Sequence, residues 1–358
     1  MFVKNHLSAV ACAVVLAAGA LAVSAAPLTL EGQGSFAAGG TVVPAQEKYD
    51  PYHPKAEAQD LHGDHAFVRW QKPVDARRFP LVFLHGAGQF SKTWETTPDG
   101  RDGFNNIFLS RGFSVWLVDQ PRRGGAGKAT VPGSIAGKSD EAFFFGQFRM
   151  GMWPKFNEGS QFPQDAESIN QFFRQMTPNT APYDEMVNAR AMTEVLKRSG
   201  RAVLVTHSQG GGIGWQTGMM SDNLAGIVSY EPGSGFPFPE GEAPAPLKTS
   251  SFFGDFPVKI VPVAEFDKLT RYPIVIYYGD YIPKSPTTHP HEDYWRAALE
   301  LARLWADCVN RHGGDAKVIE LPDAGLRGNS HFPFAERNNV EVADLLSKWL
   351  HGKKLDVR

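Results

Sequence analysis

From Arg78 onward the chain repeats one pattern. A short run of apolar, β-branched or aromatic residues ends in Gly, Asp or Pro, and a longer stretch with apolar residues at helical spacing follows. The runs are FPLVFLHGAG, FSVWLVDQ, RAVLVTHS, LAGIVSYEPG, YPIVIYYGD and AKVIELP. Unbroken apolarity of this kind suits strands covered on both faces, as in a parallel sheet with crossover helices. Residues 183–199 carry Met186, Ala189, Val195 and Leu196 at helical spacing and end at Gly200, a C-cap signal. Leu299, Leu301, Leu304, Trp305 and Val309 predict a helix over 291–312, and another closes the chain over 338–350. Upstream, a Gly-rich stretch over 34–43 and the run HAFVRWQKP read as two further strands. The expected class is α/β: a mostly parallel central sheet flanked by helices.

Two segments break the alternation. Residues 121–180 are rich in aromatics and Met (Phe143, Phe144, Phe145, Phe148, Met150, Met152, Trp153, Phe156), and residues 233–268 are rich in Pro and Phe. Long irregular stretches inside a domain are usually lids or binding loops. They are expected to form a lid on one domain spanning 26–358.

Composition narrows the function classes. The 358 residues are 42% hydrophobic and 21% charged, with net charge −2 and no Lys/Arg-rich run. Nucleic acid is thereby disfavoured as a partner, because phosphate binding needs a basic stripe. Lys4 and His6, the small apolar run over 7–23 and Val23-Ser24-Ala25 read as a cleaved signal peptide over 1–25. This implies a periplasmic or secreted protein with no stable membrane anchor. Cys12 falls within the signal, so the mature chain keeps Cys308 alone and no internal disulfide. A buried thiol on the 291–312 helix is the expectation for Cys308. The sequence leaves a homodimer open.

The candidate chemistry centres on Thr206-His207-Ser208-Gln209-Gly210. It differs by one residue from G-x-S-x-G, the strand-to-helix turn that displays a nucleophilic serine. Ser208 follows the apolar run AVLV and precedes GGGIGW, which can open a helix, so the context is right. No G-x-G-x-x-G or Gly-Lys-Ser/Thr loop competes as a phosphate cradle. His85-Gly86-Ala87-Gly88, at an earlier strand end, supplies a second feature. In this architecture one oxyanion donor comes from that loop and one from the residue after the nucleophile, here the backbone N–H groups of Ala87 and Gln209. The base should follow the last strand, where His331 stands. Two carboxylates compete for the acid: Glu231 at one strand end and Asp280 at the next. Strands lie about 4.8 Å apart, so either reaches the same edge. Pro232 is expected to hold Glu231 extended.

Two rival classes remain: a non-catalytic ligand-binding protein on the same scaffold, and a metal-dependent hydrolase. The second would use His289, His291, Glu292 and Asp293, or His62 and His65, but these spacings match no standard zinc pattern. No cofactor is expected.

The stretches GSFAAGG, FLHGAG, TWETTPDGR, THSQGG, SYEPG and GNSHF…RNN together resemble the secreted bacterial carboxylesterases of the α/β-hydrolase superfamily with a Ser-Glu-His triad. The resemblance covers the chain from about Gly34 to its end. It implies Ser208 as nucleophile, Glu231 as acid, His331 as base, and the Ala87 and Gln209 amides as oxyanion donors. It also implies a small-molecule ester substrate. The aromatic residues of the expected lid separately point to an apolar or aromatic ester. Ala87-Gly88 stands where that family can carry two adjacent cysteines, and FFFGQFRMGMW departs from the family wording.

Overall fold

The computed structural model describes residues 27–358, so the expected signal peptide lies outside the described residues. Eight strands form one sheet: β1 (Leu30–Val43), β2 (Leu61–Pro73), β3 (Leu81–Leu84), β4 (Val115–Asp119), β5 (Ala202–His207), β6 (Leu224–Tyr230), β7 (Pro273–Tyr278) and β8 (Asp315–Glu320). Their spatial order is β1-β2-β4-β3-β5-β6-β7-β8. β1 and β2 pair antiparallel, β2 joins β4 antiparallel, and every later pairing is parallel. All six runs of the repeated pattern are therefore parallel strands.

Why those runs lack alternation is visible in β3. Successive side chains point to opposite faces. Leu81 and Phe83 pack in one apolar cluster and Val82 and Leu84 in the other, all fully buried. On the first face lie α1 (Phe104–Ser110), with Phe104 and Phe108, and the C-terminal helix α7 (Asn339–Gly352), with Leu346 and Leu350. The second face is covered by α4 (Glu185–Ser199), α5 (Gly210–Met220) and α6 (Pro290–Arg311) through Val195, Ile213 and Trp305. α4 begins at Asp184, whose carboxylate accepts from the Met186 and Val187 N–H groups, and stops at Gly200 with φ 71°. The predicted helices match the observed ones to within two residues at each end.

The two irregular segments are partly ordered. The first holds α2 (Glu141–Gln147), a small hairpin pairing Gly151–Met152 with Lys155–Phe156, and α3 (Ala166–Gln175). The second holds Pro237–Pro239 paired with Lys259–Val261. No helix among the described residues is long and apolar enough to cross a membrane.

Candidate active site

β5 ends at His207, and α5 starts two residues after Ser208. Ser208 has φ 52°, a left-handed conformation that costs a non-glycine residue about 1–2 kcal/mol. Its N–H donates to the Tyr230 carbonyl at 2.9 Å, which fixes the turn against the end of β6. Neighbouring glycines make the turn possible. A Cβ on Gly210 would lie 2.8 Å from the His85 carbonyl oxygen, and one on Gly86 would lie 2.7 Å from Ser208 Cβ. The Thr at the expected first-glycine position is accommodated from the other side. A Cβ on Gly214 would come within 2.9 Å of Thr206 Cγ2, so a second glycine one turn into α5 makes room for the Thr206 methyl. The Thr206 hydroxyl donates to Ser229 Oγ at 2.9 Å.

The geometry separates the two candidate carboxylates. Glu231 Oε2 stands 3.3 Å from His331 Nδ1, with both residues fully buried. Glu231 Oε1 accepts from Arg149 Nη2 at 2.7 Å and from the Gly279 N–H. Asp280 is committed elsewhere: Oδ1 accepts from the Tyr281 N–H at 2.9 Å and Oδ2 from the Gly328 N–H at 3.0 Å. It braces the loop that carries His331. The expectation of an extended Glu231 is corrected, because its φ is 54°. Pre-proline crowding disfavours the right-handed helical region. Here the chain escapes it through positive φ, held by the Glu231 N–H bond to the Tyr277 carbonyl at 2.8 Å and by the carboxylate's partners.

His331 sits in an aromatic box. The Phe148 ring lies nearly parallel to it at 5.3 Å and Trp295 is 4.3 Å away, centroid to centroid. Burial first, and the Arg149 charge second, hold its pKa well below the ordinary imidazole value. With Nδ1 turned to the carboxylate, Nε2 is left for a proton from elsewhere. His207 is buried, its Nε2 donating to the His331 carbonyl at 2.9 Å. Glu336, which sequence reasoning did not single out, accepts from the Ser330 N–H and the Asn329 amide at 2.8 and 2.7 Å and so fixes the same loop.

At the expected oxyanion donors the backbone is oriented by side chains. Gln209 is the N-cap of α5, where helix N–H groups lack intrahelical acceptors. The Gly86 carbonyl accepts from Arg123 Nη1 at 2.8 Å and from His85 Nδ1 at 2.9 Å. His85 Nε2 accepts the Gln120 N–H at 3.1 Å, so its hydrogen must be on Nδ1. Burial, then Arg123, lowers its pKa to about 3 and keeps the ring neutral. In a trans peptide C=O and N–H point opposite ways. Two donors on the Gly86 oxygen therefore direct the Ala87 N–H to the other side. Arg123 Nη2 also reaches Gln209 Oε1 at 3.2 Å, tying the two donor segments together.

Arg149 and Arg123 were not anticipated. A lone Arg within an aromatic and Met-rich run was the available signal for Arg149. The alternative metal-ligand run does not assemble: Asp293 accepts from Arg296, Ser250 and Thr287, and His291 Nδ1 meets Gln147 Oε1 at 2.9 Å.

Residues 81–345 match the alpha/beta hydrolase family, and the chain belongs to it. Among individual proteins it is similar to the "Probable secreted lipase phiG" of a Fungal sp. (strain ATCC 74256), at 29% identity over 303 residues covering 76% of this chain and 81% of the lipase. A solved structure described as that of a novel bacterial esterase superposes with TM-score 0.73 at 29% identity, covering 92% of this chain and 98% of the other.

Proposed function

We propose that the protein is a serine carboxylic-ester hydrolase working through an acyl-enzyme. The observation that carries this is the Glu231–His331 pair at 3.3 Å, tied by the 2.9 Å contact of His207 Nε2 with the His331 carbonyl to the strand-to-helix turn on which Ser208 is held at φ 52°. The proposed course starts with attack of Ser208 Oγ on the ester carbonyl. His331 Nε2 takes the hydroxyl proton and returns it to the leaving alcohol, and Glu231 holds the ring in the required tautomer. The Ala87 and Gln209 N–H groups receive the oxyanion, and water then releases the acid by the same steps. Similarity to a lipase and to an esterase supports ester as the bond class. An apolar or aromatic acyl group fits the walls: Phe148 and Trp295 flank the base, and Met176 Cε would lie 3.2 Å from a Cβ on Gly88. Secretion after removal of residues 1–25 fits the likeness to a secreted lipase.

Fluorophosphonate labelling with intact-mass and peptide analysis tests the reading. One adduct on Ser208, absent from Ser208→Ala, is expected. A folded protein that takes no adduct would refute it and leave a ligand-binding protein on a hydrolase scaffold.

A further inference from the structure

Residues 233–268 cross the C-terminal end of α6, and there, among the described residues, three side chains of metal-ligand type converge: Glu242, Cys308 and His312. Cys308 is in the last turn of α6, and the His312 N–H donates to its carbonyl at 3.1 Å, so one helical turn presents both side chains. Glu242 arrives from the crossing segment. Its Oε2 is 3.7 Å from Cys308 Sγ and its Oε1 is 2.8 Å from His312 Nε2, and all three donor atoms lie within 4.8 Å of one another. Tetrahedral zinc holds sulfur at about 2.3 Å and nitrogen or oxygen at about 2.0–2.2 Å, which sets neighbouring donors roughly 3.4–3.6 Å apart. The separation of sulfur from Oε2 already fits, the His312 contact with Oε1 must open by about 0.6 Å, and Cys308 Sγ and His312 Nε2, within 4.8 Å of each other, must close by up to about 1.2 Å.

The far side of the imidazole gives a second observation. His312 Nδ1 stands 2.7 Å from Asp267 Oδ1. A carboxylate on one ring nitrogen is the arrangement that orients metal-bound histidines and makes the other nitrogen a better ligand. Arg311 Nη2 donates to Glu242 Oε2 at 3.0 Å and steadies the third ligand. Charge also balances: a Cys308 thiolate, Glu242 and Asp267 against Arg311 and one divalent ion sum to zero. Cys308 is fully buried while Glu242 is 40% exposed, so the sulfur is shielded and the carboxylate side is open to solvent.

We propose that Glu242, Cys308 and His312 bind one thiophilic divalent cation of the zinc class, with water as fourth ligand and Asp267 orienting His312. The ion ties the 233–268 segment to α6 and takes no part in ester chemistry. In the competing arrangement the imidazole is a cation bridging Glu242 and Asp267.

The test uses the full chain after dialysis against a chelator, titrated with Co²⁺. One equivalent should bind with a thiolate-to-cobalt charge-transfer band in the near ultraviolet, and Zn²⁺ should displace it. Cys308→Ser should remove the band. Asp267→Asn, a half-exposed position that spares the core, should weaken binding by about 10–100-fold. Folded wild-type protein that binds no Co²⁺, or binds it without the thiolate band, would overturn the proposal and leave an ion-pair cluster.

Discussion

Replacing Glu231 by Gln changes one atom, and the structure dictates which way the amide must face. Oε1 receives two donors, Arg149 Nη2 at 2.7 Å and the Gly279 N–H. An amide nitrogen placed there would meet two donors with none of its own lone pairs available, leaving buried groups unpaired at about 1–3 kcal/mol each. The carbonyl oxygen therefore stays at the Oε1 position and the NH₂ takes the Oε2 position, 3.3 Å from His331 Nδ1. The imidazole must then offer a lone pair at Nδ1 and carry its hydrogen on Nε2. That nitrogen can no longer accept the Ser208 proton. A wrong-tautomer lesion of this kind costs about 10⁴ in turnover, or about 5.5 kcal/mol of barrier. The control is Asp280→Asn: it weakens one of two loop bonds, with about 1–3 kcal/mol of stability lost and turnover within about tenfold of wild type. Both are read from kcat on an activated short-chain aryl ester, with circular dichroism to confirm folding. If Glu231→Gln keeps turnover within a hundredfold of wild type, or Asp280→Asn is the more damaging, the assignment of the acid fails.

Other consequences can be measured independently. Arg149→Met strips a buried partner from Glu231 and should cost about 3–5 kcal/mol in urea unfolding; because Arg149 helps hold the His331 pKa down, the acid limb of kcat/KM should move to higher pH. Arg123→Met should lower kcat by up to the 10²–10³-fold that loss of one oxyanion donor costs, with KM little changed; a change confined to KM would contradict the peptide-orienting role. Three buried histidines (His85, His207 and His331) stay neutral when folded, their pKa values lowered chiefly by burial. Between pH 7.5 and 5.5 only the unfolded chain protonates them, a loss of about 1.4 kcal/mol each or about 4 in all. Glu336, raised by burial to about 7, takes up its proton in the folded state over that range; this returns about 2 kcal/mol. These four groups together should lower the unfolding free energy by about 2 kcal/mol at pH 5.5, while His291, lowered by burial, and His312, raised by Glu242, act in opposite directions; a more stable protein there would refute the balance. Gly214→Ala should destabilise by about 1–3 kcal/mol through crowding of the Thr206 methyl, and adding Thr206→Ser should restore most of it, a coupling that a double-mutant cycle would reveal.

Periodicity alone determined the inner parallel strands, because a strand buried on both faces leaves few polar positions; the edge strand β8, with Asp315 and Lys317 exposed, is the exception. The elbow was equally legible: Ser208 lies between an apolar run and a helix of small residues, all within sixteen consecutive positions. His331 could be placed by its position after the final strand.

Which carboxylate faces His331 is visible only in three dimensions. Glu231 and Asp280 both end strands at the same sheet edge, and which reaches His331 depends on local backbone and on who else claims their oxygens. Asp280 is taken by the N–H groups of Tyr281 and Gly328, whereas Glu231 turns inward at φ 54°. Neither fact has a sequence signal. Arg149 was hidden for a related reason: it is 82 residues from Glu231 and arrives on an insertion whose path no periodicity describes. The Glu242–Cys308–His312 cluster likewise joins side chains 66 residues apart, so only the crossing of two segments brings it into being. Local pattern fixes what a segment becomes. Which distant side chains share a buried site is set by how the segments pack, where each polar atom must find a partner among those that arrive.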